Sequence, residues 1–244
     1  MQETIFSSIL KSKAQKKKQF AVLIDPDKFE TSKVIDVAET AGVDFIFVGG
    51  SVLTNGNLEQ CINVIKKQTN IPVIIFPGNN LQISKNANGI LLLSLISGRN
   101  SELLIGKQII AAPILKSSNL EILPTGYMLI DGGKPTAVSY MSNTNPIPYD
   151  KDDIAMCTAM AGEMLGLKLI YMDAGSGALN AISEKMIKKV RSNISIPLII
   201  GGGIDTAKKA ILACKAGADI IVVGNAIEKD SSLIKKIAQA IHTI

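Results

Sequence analysis

The sequence predicts a single (β/α)8 barrel, one domain over residues 1–244. Three observations carry that expectation: the length of the chain, eight short apolar runs, and the residues that close those runs. A chain of 244 residues is the usual size of one such barrel and long enough to bury a large core. The runs are FAVLID (20–25), DFIFVGG (44–50), PVIIFPG (72–78), GILLLS (89–94), GYMLIDGG (126–133), KLIYMDAGSG (168–177), PLIIGGG (197–203) and DIIVVG (219–224). They are continuously apolar instead of alternating, as parallel strands covered on both faces by helices are. Nearly all close on Gly, Asp or Pro, which stops a strand. An open doubly wound sheet would show about five or six strands and a GxGxxG in its first turn, and that motif is missing here.

Amphipathic stretches separate most runs. Residues 152–166 put Ile154, Cys157, Ala161, Met164 and Leu165 on one helical face, and Ala207, Ala210, Ile211 and Cys214 form another after the seventh run. Both faces are expected to pack on the barrel. GGSVLTNGN and GGGIDTAKKA place short loops at the carboxyl ends of strands, where barrel enzymes carry their chemistry. One connection departs from the pattern. Between Gly78 and Gly89 only NNLQISKNAN (79–88) is available, and a crossover helix with its turns needs about a dozen residues or more. The third outer helix is therefore expected to be missing or replaced by an irregular segment, leaving a gap in the helical ring.

Composition excludes several function classes. Apolar residues make up 47% of the chain, yet no run approaches the ~18 needed to cross a bilayer, and the polar start lacks the apolar core of a signal peptide, so a cytoplasmic protein is expected. Cys61, Cys157 and Cys214 contain no CxxC pair and read as small core residues. The one histidine, His242, lies in a helical tail, which leaves no place for a His base, a Ser-His-Asp triad or a His metal cluster. The net charge of +5 gathers early, in Lys11, Lys13, Lys16, Lys17 and Lys18, without interleaved aromatics, so nucleic-acid binding is not expected. That cluster reads either as a solvated helix end or as an attraction to anionic phosphates or a transient membrane-surface contact.

Chemistry concentrates in the loops after the last runs. Gly201-Gly202-Gly203-Ile204 follows the seventh, and Gly224-Asn225-Ala226-Ile227 follows the eighth and opens a short helix. Glycines let backbone N–H groups approach an oxyanion, and a helix N-terminus adds partial positive charge. As purely structural features they would make tight turns; their occurrence after both of the last two strands favours a phosphate site. Gly175, Ser176 and Gly177 after the sixth run extend such a cradle. Asp173 ends that run at the mouth, where it either accepts a proton from a substrate hydroxyl or caps the next helix. Across the mouth, Asp25-Pro26-Asp27 and Gly49-Gly50-Ser51 offer a carboxylate beside a hydroxyl and free carbonyls. This set suits Mg²⁺ together with a phosphorylated ligand, and equally suits helix capping.

IDPDK (24–28), VGGS (48–51), YMDAGSGA (171–178), GGGI (201–204) and VGNAIE (223–228) together resemble the geranylgeranylglyceryl phosphate synthase family of prenyltransferases over essentially the whole chain. The resemblance implies Mg²⁺-dependent transfer of a geranylgeranyl group from its diphosphate to the 3-hydroxyl of sn-glycerol 1-phosphate, forming the ether bond of a glycerolipid. It implies that Tyr171, Met172, Asp173, Ala174, Gly175, Ser176, Gly177, Gly202, Gly203, Gly224 and Asn225 bind sn-glycerol 1-phosphate, and that Asp25 and Ser51 hold the metal. It also implies a homo-oligomer, an irregular segment in place of the third helix, and an apolar groove for the prenyl tail, with longer (heptaprenyl) tails in some members. Asp173 stands where the family more often has Glu. Read from residues alone, two rivals remain: a phosphosugar isomerase using Asp173 with Asp131 or an aldolase, for which Lys168 is at the wrong end of its strand, and a non-catalytic phosphate binder. A non-catalytic phosphate binder would not need the acidic rim.

Overall fold

The computed structural model describes residues 4–29 and 33–244. Eight strands, β1 (Gln19–Ile24), β2 (Phe45–Val48), β3 (Val73–Ile75), β4 (Gly89–Leu95), β5 (Glu121–Leu129), β6 (Leu169–Asp173), β7 (Leu198–Gly201) and β8 (Ile220–Val223), close into a barrel in chain order. Every neighbouring pair is parallel, including β1 with β8. All eight predicted strands exist. The fifth starts at Glu121 instead of Gly126, because Pro124 sits within it opposite Leu92; proline reads as a strand breaker in sequence, yet the carbonyl of Pro124 still accepts from the Lys168 amide.

Strand residues divide by alternation into two apolar layers. Ala21, Phe45, Phe47, Ile74, Leu91, Leu123, Leu169, Tyr171, Ile199, Ile220 and Val222 fill the inside of the barrel. Their neighbours, such as Val22, Ile46, Ile90, Met128, Ile170, Met172, Ile200 and Ile221, face the helices. Period-two geometry alone produces this division. Beneath the barrel lies α1 (Ile5–Ala14), whose Ile5 and Ile9 join the inner layer. The Glu121 carboxylate accepts from the amides of Ile5 and Phe6 at 2.6 and 2.8 Å, satisfying the free N–H groups that begin a helix. Lys11 and Lys13 occupy the last turn of α1, ahead of the amino-terminal end of β1.

The helical ring consists of α2 (Lys33–Ala41), α3 (Leu58–Gln68), α4 (Lys107–Lys116), α6 (Asp152–Met164), α7 (Glu184–Arg191), α8 (Ala207–Ala216) and α10 (Ser232–His242), with two short helices, α5 (Ala137–Ser142) and α9 (Asn225–Lys229), near the mouth. Between β3 and β4 there is no helix: residues 79–88 run as turns and extended chain. The expected gap in the ring is present, while α5 has no counterpart in the sequence reading.

Two packing expectations are overturned. On α6 the buried residues are Asp152, Ala155, Ala159 and Gly162, and the side carrying Ile154, Cys157, Ala161, Met164 and Leu165 is exposed. The cause is close approach. A Cβ on Gly162 would come within 2.8 Å of Ile96 Cδ1 and 3.1 Å of Ile170 Cδ1, so small residues must face the barrel and the larger apolar ones are left outside. Cys157 follows its face outward, whereas Cys61 and Cys214 are core residues as expected; burial pushes both of their thiols up to about 12. On α8 the expectation holds better, with Ala210 and Cys214 buried and Ala207 and Ile211 partly so.

Candidate active site

A cavity of about 720 Å³ opens at the carboxyl ends of the strands. Alternation decides which side chains reach it. Leu169, Tyr171 and Asp173 point inward along β6, so Tyr171 and Asp173 line the cavity. Met172 and Ala174 turn outward into the layer between strands and helices, and neither side chain reaches the mouth. Gly175, Ser176, Gly177, Gly202, Gly203, Gly224 and Asn225 all line it, as do Asp25 and Ser51.

The three glycine loops are held against one another by backbone. The amide of Ala174 donates to the carbonyl of Gly201 at 3.1 Å. Gly202 has φ +76, and a Cβ there would lie 2.6 Å from the amides of Ala174 and Gly175, so only glycine lets the β7 loop lie this close to the β6 loop. Gly224 precedes α9 without a side-chain cap, leaving the start of that helix open to the cavity.

Asp173 is buried, and each of its oxygens has one donor. The Tyr127 hydroxyl donates to Oδ2 at 2.6 Å and the Gly175 amide to Oδ1 at 2.7 Å. Burial raises its pKa, and the two donors offset this only in part. A carboxylate so placed is a stronger base than an exposed one, and still a weak one beside a hydroxyl. The Tyr127 hydroxyl is held far above its ordinary range, first by burial and then by the charge of Asp173, so it stays protonated and donates. Tyr127 was not among the residues singled out from sequence: its pairing follows from register, with Tyr127 opposite Tyr171 and Leu129 opposite Asp173. Both tyrosines pack on Phe76, whose ring stacks on Tyr171 at 5.1 Å and meets Tyr127 at 5.9 Å between centroids.

The other half of the mouth is assembled by side chains. Asp25 begins a 3-10 turn, its Oδ1 accepting from the Asp27 amide at 3.1 Å, and Lys28 bridges Glu228 at 3.0 Å and Asp25 at 3.6 Å. Burial opposes the charge on Lys28, but Glu228 and Asp25 outweigh it and raise its pKa. Asp27 gathers the loop after β2, accepting from the Thr54 amide and hydroxyl at 2.7 and 2.9 Å, from the Asn55 amide at 3.0 Å, and from the Gly56 amide. These donors, led by the Thr54 amide, lower its pKa to about 2. Gln82, buried in the helix-free segment, donates to the carbonyl of Gly50 at 2.8 Å and accepts from the Gly78 amide at 3.0 Å, tying that segment to the loops after β2 and β3.

The cavity continues outward through the gap in the ring. It touches both faces of β4, Leu91, Leu93 and Leu95 from inside and Ile90 and Leu92 from outside, and extends to Ile83, Leu103, Ala111 and Leu115. An apolar channel therefore leads sideways from the polar mouth. Asp131 and Lys168 do not line the cavity; the Asp131 carboxylate accepts from the Gly133 amide at 2.8 Å, and Lys168 precedes β6 and stands over the Phe6 ring beneath the barrel. The isomerase reading loses Asp131 and the aldolase reading Lys168.

Glycine loops after three consecutive strands, a buried carboxylate beside them and an apolar side channel define a barrel enzyme built for a phosphorylated substrate and a long apolar one. Residues 12–241 match the profile of the PcrB family, and the chain belongs to that family. It is 57% identical to the geranylgeranylglyceryl phosphate synthase of Chitinophaga pinensis, over 99% of this chain and 97% of the relative, and 41% identical to that of Pyrococcus horikoshii, over 91% and 88%. Among solved structures, the (S)-3-O-geranylgeranylglyceryl phosphate synthase of Thermoplasma acidophilum, in complex with its substrate sn-glycerol-1-phosphate, superposes with a TM-score of 0.92 at 32% identity, covering 99% of both chains.

Proposed function

We infer that this chain is a prenyltransferase that joins a geranylgeranyl group from its diphosphate to the 3-hydroxyl of sn-glycerol 1-phosphate. The observation that carries the reading is the shape of one cavity: a glycine-built anion cradle and a buried carboxylate at the mouth, continuous with an apolar channel through the missing helix. The phosphate of glycerol 1-phosphate is assigned to the loops after β6, β7 and β8, through Gly175, Ser176, Gly177, Gly202, Gly203, Gly224 and Asn225, with Tyr171 beneath. Met172 and Ala174 serve the cradle only through their backbone. Asp173 orients the 3-hydroxyl and takes its proton as the carbon–oxygen bond forms; Tyr127 fixes the carboxylate.

The diphosphate is assigned to the Asp25 side and the tail to the channel. Among the described residues no group of three or more His, Cys, Asp or Glu could hold a metal unaided. One carboxylate with the Ser51 hydroxyl nevertheless fits Mg²⁺, which keeps several waters and shares substrate phosphate oxygens. When bound, Mg²⁺ would offset charge on the leaving diphosphate. We place the enzyme in the cytoplasm, where Cys157 stays reduced. We assign a homo-oligomer to it because Ile105, Ile109, Ile110 and Ile114 beside the channel, and Ile154, Met164 and Leu165 on α6, are all exposed. No helix of the described residues is long and apolar enough to cross a membrane. The early lysines lie toward the end of the barrel opposite the mouth, so a transient membrane contact there would not load the substrate. Incubation with labelled geranylgeranyl diphosphate, sn-glycerol 1-phosphate and Mg²⁺ should yield the ether product; no product, or full activity in excess chelator, would overturn the reaction or its metal.

A further inference from the structure

We propose that Lys134 is a substrate-binding residue that closes the phosphate cradle from the β5–α5 side and sets the enzyme's preference for a charged phosphoglycerol. The proposal rests on the assignment of sn-glycerol 1-phosphate to the glycine loops. Its starting point is Gly177, which has φ +71 and so needs glycine. Apart from its chain neighbours, the described atoms within 4 Å of where a Cβ of Gly177 would stand are two, both nitrogen donors: Asn225 Nδ2 at 3.6 Å and Lys134 Nζ at 3.8 Å. Two donors from different loops thus converge above a loop whose own backbone is turned toward the cavity.

The lysine's backbone is placed there firmly. The carbonyl of Gly132 accepts from the amides of Leu179 and Asn180 at 2.9 and 3.0 Å, and the Gly133 amide donates to Asp131 Oδ1 at 2.8 Å. Just after Lys134, Thr136 caps α5, and its side chain packs on Gly175 so closely that a Cβ there would approach within 2.7 Å. The β5–α5 segment therefore rides on the β6 loop, and the exposed Lys134 brings its Nζ to the Gly177 loop on a flexible stem.

Its charge is also uncommitted. Lys28, Lys185 and Lys209 each have a carboxylate within 3.0 Å, whereas Lys134, like several other exposed lysines, has no hydrogen bond or ion pair among the described residues. A cation without a carboxylate, held beside an amide donor and a glycine loop, is matched by a dianionic phosphate. The loops after β6, β7 and β8 offer backbone N–H groups and neutral side chains; Lys28, Lys107 and Lys229 line other parts of the cavity, and Lys134 brings a full positive charge to the Gly177 loop.

The test compares Lys134→Ala and Lys134→Arg with the unaltered full chain, measuring calorimetric Kd for sn-glycerol 1-phosphate, its KM and kcat at saturating geranylgeranyl diphosphate, and the inhibition constant of inorganic phosphate. The alanine variant should weaken all three binding constants about tenfold, the worth of one partly exposed charge-assisted contact, with kcat within about threefold. Arginine should recover most of the loss, and the gap between wild type and alanine should shrink as salt rises. An alanine variant that binds sn-glycerol 1-phosphate as tightly as wild type overturns the role of Lys134 while leaving the functional reading standing. A wild type that does not bind sn-glycerol 1-phosphate at all overturns the reading itself, and this proposal with it.

Discussion

The two halves of the mouth are built by different means. On the β6–β8 side the loops are glycine-rich and fixed by backbone bonds, such as Ala174 to Gly201, so the donors are N–H groups whose positions the barrel dictates. On the β1–β3 side the loops are tied by side chains, Asp27 to Thr54 and Asn55 and Gln82 to Gly50 and Gly78. Its charged groups, Asp25 and Lys28, are partly exposed and paired with each other. The first half suits a small ligand of fixed shape, the second one whose position is set by side chains. The contrast explains why Asp173, at the rigid half, is buried and fully bonded, while Asp25 keeps a partly exposed side chain.

The sharpest way to break the contrast is at Asp173. Asp173→Asn should lower kcat roughly 10²–10⁴-fold with Kd for sn-glycerol 1-phosphate within a few-fold, and Asp173→Glu should retain much of the activity. The same Asn variant should melt higher than wild type at neutral pH. A carboxylate whose pKa is raised by folding stabilises below its unfolded value and loses that contribution as pH rises through the folded one, so the advantage of Asn should vanish in acid. Calorimetric melting of both proteins across pH tests this, and equal melting curves at neutral pH would show the buried charge costs nothing.

On the flexible half, Asp25→Asn should weaken binding of geranylgeranyl diphosphate in Mg²⁺ by at least the roughly 10–100-fold that even an outer partner of a metal site costs. A loss that is the same with and without Mg²⁺ would mean that Asp25 only caps its turn. Next come the glycines. Gly224→Ala has room, its Cβ meeting Leu23 at 3.4 Å, and should fold while raising KM for sn-glycerol 1-phosphate about tenfold. Gly202→Val, with positive φ and backbone in the way, should lose stability as well as affinity, so only Gly224 separates the two effects. Smallest is Asp27→Asn, which should speed hydrogen exchange over residues 51–57 and slow turnover a few-fold. Because the pKa of Asp27 is lowered to about 2 from 3.8, its tie is complete above about 4 and is lost as pH falls through 2; an acid melting curve unchanged by the substitution would count against it.

Legibility in the sequence followed the same division. The strands, the absent third helix and the glycine loops were readable because apolar runs, a ten-residue connection and glycine are local signals. The outward turn of Met172 and Ala174 was missed, because a motif carries its residues over one by one, although strand alternation with Tyr171 and Asp173 signals it. The buried face of α6 was missed too, because counting apolar residues favours Ile154 and Met164 over the Ala155, Ala159 and Gly162 that close packing selects. Tyr127 and Gln82 escaped for a different reason. Each acts on a residue more than thirty positions away or on a neighbouring loop, and only the register of β5 on β6, or the path of the helix-free segment, brings them together.

The missing helix changes what loading and leaving require. In a barrel with a complete ring, a twenty-carbon chain would have to be threaded tail-first down a closed well and drawn back out past the chemistry. Here the cavity lining passes both faces of β4 and reaches Ile83 and Leu115, where the third outer helix is missing. A hydrocarbon can be laid into it broadside, and the finished lipid can peel away the same way, head last. The time a tail spends in the enzyme would then depend on how much wall it touches, and so on its length until the channel is filled.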